Sequence, residues 1–298
     1  MTLLSSTVSE DIIFTKMQAC GNDFIIIDDR GELLRDRESD IAQHVCRRRL
    51  SLGADGLLVL RNGTRTGAFG MVFVNADGMV GEMCGNGARC LAAYIRRIGL
   101  AADCVELQTL AGTVSVRYLP DGLISLNLPA PISRRSDLLI DYEGRQWSFD
   151  EIDVGPPHVV CWLPDVAILD SVPVFDLGRF VRHHPTFLDR GCNVNFAAPD
   201  GLRMHMRTYE RGVEDETLGC GTGATAVAIL AHRRGWPASP IEVVTRSGDV
   251  LRIDPGDDRS GPCLTGDAHF VASGAFVAPR LIFQHGRPKT DLDLASIR

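Results

Sequence analysis

Lysine is almost missing from this chain of 298 residues: among its 31 basic residues only Lys16 and Lys289 are lysines, and the rest are arginine. A pyridoxal-phosphate enzyme needs a lysine for its Schiff base. Lys16 falls in an expected first strand and Lys289 in a polar tail, so neither sits in a cofactor-like loop. Schiff-base chemistry is therefore not expected, and no cofactor is assigned. Apolar runs near the ~20 residues of a membrane span are also missing, as is a signal-peptide pattern. The eleven residues before Ile12 are too few for a transit peptide, and the expected compartment is the cytoplasm. A net charge of −7 speaks against a general nucleic-acid binder. Cysteine is not scarce, at nine residues, but the number is odd and no C-x-x-C occurs. A disulfide framework and a structural zinc site are therefore not expected, and no metal site is assigned.

Two cysteines share one local setting. Residues 84–88 read Cys-Gly-Asn-Gly-Ala and residues 220–224 read Cys-Gly-Thr-Gly-Ala, 136 residues further on. The same offset maps Thr109 on Thr245 and Gly112 on Gly248, and Val105–Thr109 parallels Ile241–Thr245. A shared register over about thirty residues marks an internal duplication with two copies. The expected division is residues 1–135 for the half carrying Cys84, 136–279 for the half carrying Cys220, and 280–298 for a polar tail. Apolar, β-branched runs (Phe24–Asp28, Leu57–Leu60, His158–Trp162) read as strands. Each Cys-Gly-x-Gly reads as a turn opening a helix, over about Ala88–Ile98 and Ala224–Arg234, with Gly99 and Gly235 as stop signals. Both helices are apolar on nearly every side and hence expected to be buried. The fold class that follows is α+β: two pseudo-symmetric domains, each a mostly antiparallel sheet or barrel around a central buried helix, with the helix N-termini facing a shared cleft.

Paired thiols at paired helix N-termini suit an enzyme that removes a proton from one face of a carbon and returns one to the other. A free thiol ionises near pH 8.5, and a helix N-terminus favours the anion by about 1–2 kcal/mol when partly buried. One thiol is thereby expected near neutrality, with the pair sharing one proton because two thiolates repel. Glycines after each Cys let backbone N–H groups approach a carboxylate, where they stabilise charge that builds on deprotonation of the α-carbon.

Polar clusters surround these motifs: Gly21-Asn22-Asp23-Phe24, Asn75-Ala76-Asp77-Gly78, Gly155-Pro156-Pro157-His158, Asn193-Val194-Asn195-Phe196 and Tyr209-Glu210-Arg211-Gly212. Arg211 is a natural bidentate clamp for a carboxylate. In this order, and with Ala54–Leu58, Cys84–Cys90 and Glu210–Ala224, the clusters resemble the diaminopimelate epimerase family over about residues 14 to 250. The resemblance implies the family's fold and cofactor-independent interconversion of LL- and meso-2,6-diaminopimelate, in lysine and peptidoglycan-precursor synthesis. It also implies a homodimer whose ligand is a small amino acid with two carboxylates. Carried over position by position, Cys84 and Cys220 would be the two bases. Gly85, Asn86, Gly221 and Thr222 would hold the reacting carboxylate. Arg211 would hold the distal carboxylate, with Asn22, Asn75 and Asn193 at the distal amino-acid end. His158 and Glu210 would flank the thiols and help place protons.

Two departures stand out. The family's usual Gly-Asn-Pro-His is Gly155-Pro156-Pro157-His158 here, so an Asn that would touch the substrate is absent, and Asn195 could replace it. The Glu210-to-Cys220 segment is one residue longer than in the commonest version. Rival readings are another two-cysteine isomerase, of the proline, hydroxyproline or histidine type, and a non-catalytic amino-acid-binding protein.

Overall fold

The structure is a computed structural model that describes residues 11–34, 36–187, 191–256 and 261–277. The expected tail at 280–298 lies outside the described residues. The first repeat runs β1 (Asp11–Ala19), β2 (Asn22–Asp28), α1 (Glu38–Val45), β3 (Gly56–Asn62), β4 (Ala68–Asn75), β5 (Val80–Gly81), α2 (Gly85–Arg97), β6 (Cys104–Thr109), β7 (Gly112–Tyr118) and β8 (Ile124–Asn127). The second runs β9 (Ser133–Tyr142), β10 (Arg145–Asp153), β11 (Pro157–Trp162), α3 (Val166–Ser171), α4 (Val174–Arg182), β12 (Asn193–Asp200), β13 (Arg203–Glu210), β14 (Asp215–Thr217), α5 (Gly221–Arg233), β15 (Ile241–Val244), β16 (Val250–Asp254) and β17 (Cys263–Gly266), before β18 (His269–Val277).

The strands form one continuous sheet of mixed sense through both repeats. Parallel pairs need a crossover, and each one here has a helical crossover. α1 bridges β2 to β3 and α2 bridges β4 to β6; in the second repeat α3 with α4 bridges β11 to β12, and α5 bridges β13 to β15. The remaining pairings are antiparallel. β8 pairs with β17, joining the repeats about their pseudo-symmetry axis, while β18 pairs with β1 and β9 with β10 at the outer edges. The last described strand thus lies beside the first.

Both central helices are surrounded by strands, α2 by β1, β2, β3, β4, β6 and β8, and α5 by β10, β11, β12, β13, β15 and β16. Leu91, Ile95, Val227, Ile229 and Leu264 share one inner core. Two outer cores lie beneath the smaller helices, around Ile41 and Leu57 in one repeat and Leu177 and Phe196 in the other. The strands between an inner and an outer core are buried on both faces, which is why Phe24–Ile27 and Leu57–Leu60 read as continuous apolar runs. No helix among the described residues is long and apolar enough to cross a membrane.

The central helices start three residues before the expected Ala88 and Ala224. Cys84 and Cys220 are themselves the N-caps, in extended backbone, and each sulfur accepts the N–H three residues on. The Gly-x-Gly segments are therefore the first helical turn rather than a turn preceding the helix. At the other end Gly99 and Gly235 adopt positive φ (78° and 85°), and Leu100 and Trp236 donate back to Ile95 and Ala231. Both helices close with the same glycine cap.

Candidate active site

The two N-capping thiols face a common centre. A Cβ built on Gly85 or on Gly221 would lie 3.4 or 3.1 Å from the same Leu264 methyl group, so the first residues of α2 and α5 meet across one side chain of β17. Asn86 closes the junction, since its Nδ2 donates to Gly219 O at 3.0 Å, just ahead of the second Cys. All nine cysteines are free thiols.

Around Cys84, Gly87 N–H donates to Sγ at 3.5 Å, and the thiol donates to Asn22 Oδ1 at 3.7 Å. The Asn22 amide is oriented by Asp55, whose Oδ2 accepts from Nδ2 at 2.8 Å. Asn75 sits at the end of β4, its Nδ2 donating to Met79 O, while Ala76 N–H donates to Asp55 O. Asp55, to which no sequence signal gave a role of its own, thus ties Asn22 to the backbone beside Asn75, and Asn86 joins them through Asn22 Oδ1 at 3.4 Å.

Around Cys220, Gly223 N–H donates to Sγ at 3.3 Å, and Thr222 Oγ1 lies 3.4 Å from the same sulfur. His158 is fully buried and places Nε2 3.0 Å from Thr222 Oγ1. Asn195 decides the tautomer. Its Nδ2 donates to Val159 O at 3.0 Å, so that end of the amide is the NH2 group, and it also donates to His158 Nδ1 at 3.1 Å. Asn193 Nδ2 faces the other ring nitrogen, Nε2, at a longer 3.4 Å, so the shorter Asn195 contact favours the neutral ring with its proton on Nε2, donating to Thr222, whose hydroxyl is left to donate to Cys220. Thr208 completes the set by donating to Asn195 Oδ1 at 2.9 Å. Asn195 is spent within this buried network and does not stand in for the amide that Pro156 lacks. Asn193, level with His158 on the adjacent parallel strand, accepts the Arg211 N–H on Oδ1 at 2.8 Å. Glu210 accepts from Thr217 Oγ1 at 2.9 Å.

The electrostatics differ from expectation. Burial pushes the Cys84 thiol up to about 11, only partly offset by the N–H groups of Gly87 and Asn86, and the Glu210 charge adds to the rise. Burial, then Glu210, raises Cys220 as well. Neither thiol is brought near neutrality by its helix, because desolvation exceeds the ~1–2 kcal/mol a helix terminus supplies. Burial also raises the Glu210 carboxyl, with Asp55 contributing. His158 is pushed down to about 3 by burial and by Arg211, so its ring is neutral at pH 7.

Every candidate residue from the sequence thus belongs to one of two clusters joined at Asn86 and Gly219. Arg89 was missed, and Asn195, read as a replacement substrate contact, is bonded within the His158 network instead. Arg89 lies inside a motif already read as catalytic, and its signal was a lone charge in the first turns of an apolar helix. Lys16, which the sequence placed in a strand, is held by Asp23 and Gly53 O. Away from the thiols, Asp249, Asp267 and His269 bring ligand atoms within 4.8 Å of one another, and could hold a cation.

The diaminopimelate epimerase family model matches residues 14–128 and 151–271. A diaminopimelate epimerase of Aquifex aeolicus is 39% identical over 274 residues, covering 88% of this chain and 96% of that relative. Among solved structures, a phenazine biosynthesis protein of the PhzF family from Bacillus anthracis superposes with a TM-score of 0.72 at 13% identity, covering 90% of this chain and 100% of the other. A hydroxyproline epimerase from Agrobacterium vitis, with trans-4-hydroxy-L-proline bound, gives 0.67 at 17% identity, covering 89% and 91%. These structural likenesses speak to the fold.

Proposed function

The chain belongs to the diaminopimelate epimerase family and is an isomerase; on that premise we propose that Cys84 and Cys220 interconvert LL- and meso-2,6-diaminopimelate by a two-base exchange at one α-carbon. The observation that carries this reading is the meeting of two Cys-capped helix N-termini across Leu264, each thiol held by its own first-turn N–H. A thiolate on one side takes the α-proton: an S–H bond forms, the Cα–H bond breaks, and its electron pair stays on the substrate. The opposite thiol gives its proton to the other face and is left as the thiolate. The reverse direction exchanges the roles.

The first-turn N–H groups of Gly85, Asn86, Gly221 and Thr222 bind the reacting carboxylate and stabilise the charge that spreads into it. Burial raises both thiols in the free site, so one ionises as the substrate arrives, its S–H proton passing to bulk water while the substrate's α-ammonium supplies a nearby cation. His158 directs the Thr222 hydroxyl at Cys220, and Glu210, whose charge acts on both sulfurs, holds the other proton position. Arg211 takes the distal carboxylate and Asn22, Asn75 and Asn193 the rest of the distal end. Pro156 offers no N–H there, so the distal amine relies on fewer amide groups than in the family's usual pattern. We place the reaction in the cytoplasm and assign a homodimer. β18 supports it: among the described residues it pairs only with β1, and it exposes Phe270, Val271 and Val277, as β1 exposes Ile13.

The test is α-proton exchange by NMR: LL-diaminopimelate in D2O with reduced, cofactor-free protein, beside Cys84→Ala and Cys220→Ala. Deuterium incorporation with formation of the meso isomer, lost in both variants, is expected. Exchange with proline, hydroxyproline or histidine instead would keep the two-base chemistry and change the substrate. Exchange with none of them, alongside tight binding, would indicate a binding protein.

A further inference from the structure

Arg89 is a fully buried arginine, five residues into the helix that Cys84 caps. Arginine is rarely buried to this degree without a carboxylate partner, because its charge does not titrate away. Among the described residues no carboxylate forms an ion pair with it. Its hydrogen bonds all go to neutral groups: Nε donates to the Asp267 backbone O at 3.1 Å, and Nη2 donates to Asn86 Oδ1 at 2.8 Å and to Cys20 Sγ at 3.4 Å. Among the described residues its Nη1, also buried, has no hydrogen-bond partner.

That orphan nitrogen lies 3.7 Å from the position a Cβ on Gly221 would take, so it points at the first residue of the opposite helix. Its neighbour Nη2 holds Asn86, which in turn reaches Gly219 O. The guanidinium therefore stands behind both helix N-termini at once, adding a full positive charge to their partial ones. A buried charge without a counter-charge destabilises a fold, and such costs are retained where function needs them. No carboxylate lies within ion-pair distance of the guanidinium among the described residues, although the charges of Asp267 and Glu210 reach the surrounding thiols.

We propose that Arg89 is the fixed counter-charge of the reacting end, a positioning residue that orients Asn86 and stabilises the anion formed between the two thiols. It acts on three negative charges: the bound α-carboxylate, the pair left on the α-carbon, and whichever sulfur is thiolate. The proposal rests on the two-thiol reading for the first two of these, and stands apart from it for the third. Its lowering effect on the Cys84 thiol agrees with this placement.

Arg89→Met removes the charge at similar bulk, and Arg89→Lys keeps it while losing the fork. R89M is expected to melt at or above the wild-type temperature yet lose about 100-fold in kcat, the scale of one preorganised donor at an oxyanion. R89K is expected to recover at least about tenfold of that loss. Independently of any substrate, the pH dependence of Cys84 alkylation, read by peptide mass spectrometry, is expected to move upward in R89M and much less in R89K. An R89M protein within about threefold of wild type in α-proton exchange would overturn the proposal. So would an R89M protein that loses activity only in step with its folded fraction, with R89K no better. Should R89M fail to fold, R89K decides: retention of most of kcat supports the charge, and loss comparable to Cys84→Ala refutes it. If wild type shows no exchange with diaminopimelate, the substrate reading fails, and the alkylation shift alone then tests the counter-charge on Cys84.

Discussion

Acid should unfold this protein through His158, and the size of the effect follows from its burial. The ring is fully buried and held down to about 3, against about 6.5 in an unfolded chain. A depressed folded value means that the contribution is fully present above pH 6.5 and is lost as pH falls toward 3. Between those limits the unfolded state binds one more proton than the folded state, so stability drops by about 1.4 kcal/mol per pH unit from this group. From pH 6.5 to 4.5 that is about 2.7 kcal/mol, a large share of the 5–15 kcal/mol typical of a folded domain. His158→Gln keeps a donor toward Thr222 and removes the titration. Urea unfolding of both proteins at pH 7.5, 5.5 and 4.5 gives the stability difference at each pH, and it should shift by about 2.7 kcal/mol in favour of the variant at the lowest. A difference that stays constant would mean the ring takes up its proton in the fold as readily as in the unfolded chain, and the hydrogen-bond chain from Asn195 to Cys220 would be wrong. In the same sample, ring 15N shifts should show the proton on Nε2.

Two further outcomes follow from the same geometry. Gly223→Ala would bring a Cβ to 2.5 Å from Asn195 Oδ1, inside a network that fixes His158, whereas at Gly87 the tightest contact is the tip of Leu58 at 3.0 Å, with Met71 and Cys84 at 3.4 and 3.5 Å. The first should cost about 1–3 kcal/mol together with much of kcat, and the second clearly less; equal losses in melting and exchange assays would contradict this. At the alkaline end, burial holds Cys84 at about 11 and Cys46, Cys161 and Cys192 at about 12, so each stays protonated in the fold after the unfolded chain has ionised. Raised values mean stability that is present below pH ~9 and lost as pH climbs through the folded values, at about 1.4 kcal/mol per unit for each thiol. Cys161→Ala should flatten the loss between pH 9 and 11 by that amount, and an unchanged slope in urea melts would show that Cys161 ionises freely.

Much of this molecule was decided locally. The duplication shows in the constant 136-residue offset, because both copies need the same Cys cap, glycine turn and glycine stop at the same spacing. Helix and strand types follow from apolar periodicity. The helix starts were misplaced because sulfur is an uncommon N-cap, and glycine reads as a turn when it is in fact the first helical residue.

Other properties existed only once the chain had folded. That the repeats share one sheet through β8 and β17, and that β18 returns to β1, depends on pairings between distant segments that no local pattern encodes. Asn195 reads in sequence as a replacement contact to the substrate but is consumed by His158, because parallel β11 and β12 set the two strands side by side. The protonation of both thiols was misjudged for the same reason: a helix terminus is visible in sequence, whereas desolvation is a property of everything packed around it. Arg89 makes the point most plainly. Its charge is written in the chain, but that it lies buried, without a carboxylate partner among the described residues and aimed at a helix 132 residues away is known only from the tertiary structure.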